Sequence, residues 1–135
     1  MRRRAPIPVA LAVLAASAVG AALVAGPSAA TTSRADHARA TTEKVKVADD
    51  YFAPDRLKIK QKDSVKWKWD PANLDTHNVV LKQGPKKVAE KDFRSPSGSI
   101  GIRFKKRFKV AGTYDFVCTY HKSVMKMTVK VKRKR

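Results

Sequence analysis

From residue 43 onward apolar and polar side chains alternate. Val65, Trp67 and Trp69 are separated by Lys66 and Lys68, and Leu57 and Ile59 are followed by Lys58 and Lys60. The same spacing recurs in Tyr114, Phe116 and Cys118, and again in Met127, Val129 and Val131. Period two is the pattern of a strand with one buried and one solvated face. It predicts strands over residues 43–47, 57–60, 65–69, 77–81, 102–110, 113–118 and 127–132. Turn chemistry separates them, at Pro54-Asp55, Asp70-Pro71, Gln83-Gly84-Pro85, Ser95-Pro96-Ser97-Gly98 and Ala111-Gly112. No stretch sustains an apolar 3.6 period, and no segment repeats. Seven to eight short strands at this spacing predict an all-β domain, an antiparallel Greek-key β-sandwich or barrel.

The chain before residue 43 follows different rules. Arg2, Arg3 and Arg4 precede an uncharged apolar run from Val9 to Ala25, and Ser28-Ala29-Ala30 supplies small residues at the −3 and −1 positions of a cleavage site. Residues 1–30 therefore read as a signal peptide, which implies an exported, extracytoplasmic protein: secreted, periplasmic or at the cell surface. Left uncleaved, a run of this length is also long enough to anchor in a bilayer. Residues 31–42 are rich in Thr, Ala, Ser and Arg without apolar periodicity and read as a flexible linker, in which His37 is a solvated residue. Residues 43–135 form the expected folded domain, closed by the basic tail Lys132-Arg133-Lys134-Arg135.

Charge changes the picture of partners. The 135 residues carry 30 Lys or Arg and 11 Asp or Glu, a net +19. Without residues 1–30 there remain 27 basic and 11 acidic side chains, a net +16, so the excess belongs to the domain. Such a surface favours acidic partners, either an acidic protein or an anionic cell-envelope surface. Nucleic acid is not expected for an exported chain, because a charge run is more often a solvated face. Much of the Lys content simply fills the outer faces of the strands.

Cys118 is the only cysteine, so no internal disulfide can form. A lone Cys in an exported protein is a buried inert thiol, half of an intermolecular disulfide, or a thiolate used in catalysis or metal binding. Its surroundings decide. Cys118, His121 and Met125 fall within eight residues where one predicted strand turns back into the next, and His77 begins a strand about 40 residues upstream. A soft thiolate, two imidazoles and a weak thioether are the donor types of a copper electron-transfer site. His2Cys alone would also suit zinc, and the Met argues for copper.

Taken in order, the motifs resemble the cupredoxins, the small blue copper proteins of the plastocyanin, amicyanin, pseudoazurin and azurin group. The resemblance runs over residues 43–132. It rests on Asp50-Tyr51-Phe52-Ala53-Pro54 with Leu57-Lys58-Ile59, on Asp63-Ser64-Val65-Lys66-Trp67, on His77-Asn78, on Gly112-Thr113-Tyr114-Asp115-Phe116, and on the C-x2-H-x3-M loop. It implies one type 1 copper ion held by His77, Cys118 and His121, with Met125 as a long axial ligand and Asn78 pinning the ligand loops. Met127 stands where the family usually has Gly and competes for the axial role, although its alternation with Val129 and Val131 points it into the core. The implied function is single-electron transfer between redox partners, with no catalytic residues, by a monomer. With only His37, His77 and His121 in the chain, no histidine is left for a second copper centre. A copper-delivery or sensing module with the same ligands is the alternative.

Overall fold

The computed structural model describes residues 39–135. The expected signal peptide and all but the last part of the expected linker lie outside the described residues. Eight strands follow one another: β1 (Thr42–Ala48), β2 (Tyr51–Ala53), β3 (Arg56–Lys60), β4 (Ser64–Trp69), β5 (Val80–Gln83), β6 (Arg103–Arg107), β7 (Gly112–Val117) and β8 (Lys126–Lys132). A single 3₁₀ turn, Glu90–Phe93, lies between β5 and β6. The strands form two four-stranded sheets, ordered β2-β1-β4-β6 and β3-β8-β7-β5.

The alternation read from the sequence sets the two inner faces. Val45 and Val47 of β1, Val65, Trp67 and Trp69 of β4, and Phe104 of β6 meet Ile59, Tyr114, Phe116, Met127, Val129 and Val131 from the other sheet in one apolar core. Aromatic rings fill its centre. Trp67 lies 5.3 Å from Phe116 and 5.4 Å from Phe104 between ring centroids, and Phe93 of the 3₁₀ turn packs 5.1 Å from Phe108. Full burial of each such ring contributes roughly 1.5–3 kcal/mol.

The structure differs from the antiparallel expectation in two pairings. β1 runs parallel to β4, and β3 runs parallel to β8. Alternation specifies which face a residue takes but not the direction of the neighbouring strand, so these pairings are invisible to it. β2 is a further difference. Three residues between Asp50, which takes a left-handed φ of 68°, and Pro54 are too few to show a period.

Both sheets bring their ligand-bearing segments to one end. There β1 ends beside Asp49, β4 ends at Trp69, β7 ends at Val117, and the segment before β5 contains His77.

Candidate metal centre

Cys118 continues the inward alternation of Tyr114 and Phe116 one residue beyond β7, and it is fully buried. Backbone hydrogen bonds then fold the chain tightly back. His121 N–H donates to the Cys118 carbonyl (3.2 Å), Met125 N–H to the His121 carbonyl (2.9 Å), and Cys118 N–H to the Met125 carbonyl (3.1 Å). This places His121 over the cysteine. The Cys118 Sγ to His121 Nδ1 distance is 3.7 Å.

His77 arrives from the other side. The sequence predicts a strand from residue 77, whereas β5 begins only at Val80. His77 instead makes a two-bond bridge with Gly98 (3.0 and 3.1 Å). The Trp69 indole N–H is shared between the carbonyls of Gly98 (2.9 Å) and His77 (3.3 Å), which fixes this bridge to the end of β4. The His77 ring is fully buried, with Nδ1 4.0 Å from Cys118 Sγ.

Asp49 sets the orientation of that ring. Its Oδ1 lies 2.8 Å from His77 Nε2, and its carboxylate also accepts the backbone N–H groups of Leu74 (3.0 Å) and Asp75 (3.2 Å). The hydrogen bond from His77, followed by that from Leu74, holds the Asp49 carboxyl below its ordinary range. With Nε2–H donated to a carboxylate, the Nδ1 lone pair faces the thiol, the arrangement that orients a ligating histidine and strengthens it as a donor. Sequence reasoning did not single out Asp49. The available signal was an acid at the end of a strand in a chain with only 11 acids.

Asn78 joins the two ligand segments. Its Nδ2 donates to Thr119 Oγ1 (2.8 Å) and Ser97 Oγ (3.3 Å), and its Oδ1 accepts from Thr119 N–H (2.8 Å). The residue after His77 is thereby tied to the residue after Cys118.

One ring nitrogen each of His77 and His121 and the Cys118 Sγ all lie within 4.8 Å of one another. Donors at about 2.0–2.3 Å from a shared ion in a trigonal plane stand about 3.5–4 Å apart, so the measured 3.7 and 4.0 Å suit one ion. Among the described residues this is the only such group of His, Cys, Asp or Glu. Met125 is fully buried where the loop closes. Met127 is also buried, but its sulfur accepts the Trp67 indole N–H at 3.1 Å. His121 is the exposed member, its side chain 23% accessible and its Nε2 4.0 Å from Asp75 Oδ2. In the same segment Tyr120 and Val124 are 55% and 62% exposed, and Lys122 and Lys126 are exposed as well.

Comparisons with known proteins agree with this donor set. The family model of the copper binding proteins, plastocyanin/azurin family, matches residues 39–132. Amicyanin-alpha of Methylorubrum extorquens is 36% identical over 112 residues, which cover 82% of this chain and 86% of that protein. Among solved structures, a proline-to-glycine mutant of amicyanin in its reduced Cu(I) form at pH 4 superposes with a TM-score of 0.57 at 28% identity. A methionine-to-glutamine mutant of amicyanin with Cu(I) superposes with a TM-score of 0.57 at 27% identity. Each covers 67% of this chain and 82% of its own. The chain belongs to the plastocyanin/azurin family of copper binding proteins, the cupredoxins, and is a type 1 copper electron-transfer protein.

Proposed function

We propose that this protein is exported and shuttles single electrons between redox partners, with its copper held by His77, Cys118 and His121 and weakly by Met125. The observation that carries the reading is the convergence of one thiol sulfur and two imidazole nitrogens within 4.8 Å at the end of a closed core. Copper bound there supplies one-electron redox chemistry, because the same soft and intermediate donors suit both of its oxidation states.

The protein's own contribution is rigidity. Cys118 and His77 are buried, Asp49 fixes one imidazole, and Asn78 ties the two ligand segments together, so little needs to rearrange when an electron arrives. His121 is the accessible ligand and offers the route by which electrons enter and leave. Lys122 and Lys126, next in sequence to His121 and Met125, favour an acidic protein partner. The Trp67 N–H on the Met127 sulfur supports Met125 as the thioether that would hold the copper weakly. Met125→Leu is expected to shift the reduction potential and spectrum of the copper protein. Met127→Leu is expected mainly to lower stability, by about 1 kcal/mol. A potential that moves with Met127 and not with Met125 would reverse the assignment.

The buried, laced site also favours electron transfer over metal delivery, since delivery requires the ligands to open to an acceptor. The test pairs two rates on the copper-loaded protein: electron exchange with a small redox reagent, and loss of Cu(I) to a competing chelator. Fast exchange with slow loss supports the carrier. Rapid loss with slow exchange would make the protein a delivery module.

A further inference from the structure

The outer face of the β2-β1-β4-β6 sheet carries a lattice of cations that the copper site does not use. Strand register sets Lys44 beside Lys66 and Lys66 beside Lys105. One step along, it sets Lys46 beside Lys68 and Lys68 beside Arg103. All six occupy positions between the buried residues of their strands and so share the outer face. Neighbouring strands are about 4.8 Å apart and same-face residues about 6.7 Å apart along a strand, which makes two parallel rows of three positive charges. A groove of about 510 Å³ runs among Lys44, Lys46, Lys66, Lys68 and Arg103, with Asp70, Pro71, Val45 and Trp69 completing its lining.

Like charges directly opposite one another destabilise a sheet. One ion pair eases this cost, Lys46 Nζ to Asp70 Oδ2 at 3.1 Å. The other sheet is built differently. Its outer rows are only two cations wide, Lys58 beside Lys130 and Lys60 beside Lys132, and the next strand answers Lys130 with Thr113. In its neighbouring row Arg56 stands with Thr128 and Asp115, so the single cation shares the row with a carboxylate. The rows three cations wide are therefore a property of one face and not of the net charge.

We propose that this face docks a flexible linear polymer of repeating phosphate groups. The next row, Thr42, Ser64 and Arg107, is polar as well, and Tyr51 of the edge strand β2, opposite Ala48, is the one large exposed apolar side chain on these four strands, too little to enter a bilayer or to anchor a folded protein. Five of the six cations are Lys, a point charge that suits phosphates presented in variable orientations, whereas planar carboxylates favour Arg. The accessible His121 belongs to the β7–β8 loop of the other sheet, so a polymer lying here leaves the electron route free. The inference rests on the sheet alone and stands or falls independently of the copper reading.

Its test is binding of long-chain inorganic polyphosphate to the full-length protein over a series of salt concentrations. The triple variant Lys44→Gln, Lys66→Gln, Lys105→Gln is compared with Lys58→Gln, Lys130→Gln, Lys132→Gln, which removes the same charge from the other sheet. The first variant is expected to lose at least about tenfold in affinity and to make the log–log salt slope shallower by about 2, as three lost phosphate contacts require. The second is expected to lose less than about threefold. Thermal unfolding of the first variant should be unchanged or raised, because repulsion is relieved. Equal losses in both variants would mean that net charge alone attracts the polymer and would overturn the proposal. So would tighter binding to phosphatidylglycerol vesicles than to polyphosphate, which would make the face a lipid-binding surface.

Discussion

Asp49 is the residue through which the protein most directly tunes its histidine ligand. Its carboxylate strengthens the His77 imidazole as a donor and so favours the more highly charged copper state. Asp49→Asn is expected to weaken Cu(II) binding by about 10–100-fold and to raise the reduction potential, measured by voltammetry. A lowered melting temperature with an unchanged potential would reduce Asp49 to a structural role. Asn78→Ala removes two hydrogen bonds between the ligand segments and a third to Ser97, and is expected to cost about 1–3 kcal/mol. Its copper spectrum should be broadened but retained. At this scale the donor types were legible in the sequence because Cys118, His121 and Met125 are neighbours, and His77 followed as the second imidazole that such a donor set needs. Asp49 was not legible. It acts across 28 residues of chain, and its only local mark is an acid at the end of a strand.

Among the elements, the β3–β4 turn shows how one polar residue secures a strand junction. Asp63 accepts the backbone N–H groups of Thr41 and Lys60, both at 2.9 Å. Burial pushes its carboxyl up, but these donors outweigh burial and hold it below the usual range. A carboxyl depressed by folding stabilises the protein above its unfolded value of about 3.9. That stability is lost as pH falls through the lower folded value. Asp63→Asn is expected to cost about 1–3 kcal/mol at pH 7, measured by urea unfolding, and to cost less at pH 3. A gap that does not narrow with acid would contradict the role. Where side chains alternate over five or more residues, as in β4 and β8, the sequence revealed the element and its buried face. The segment at His77 departed from expectation because its backbone pairs with Gly98, and β6 stopped at Arg107 because Phe108 N–H turns to the Asp63 carbonyl. Each exception is a long-range contact competing with local preference.

For the whole molecule, charge and copper act at different places. Lys122 and Lys126 are exposed residues of the segment that carries His121 and Met125, so association with an acidic redox partner is expected to slow as salt rises. Stopped-flow rates should fall at least about tenfold from low to high ionic strength. A rate insensitive to salt would remove charge from the docking step. The net charge was legible from composition, but its concentration into two three-cation rows was not, because the parallel β1–β4 pairing that builds them leaves no mark in the alternation. The central claim is a type 1 copper site centred on Cys118. Its most direct test is the visible absorption spectrum of the Cu(II)-loaded protein beside that of Cys118→Ser. An intense blue charge-transfer band that bleaches reversibly on reduction and is absent from the variant is the expected result. A colourless but folded wild-type protein, or a band that survives in Cys118→Ser, would contradict it.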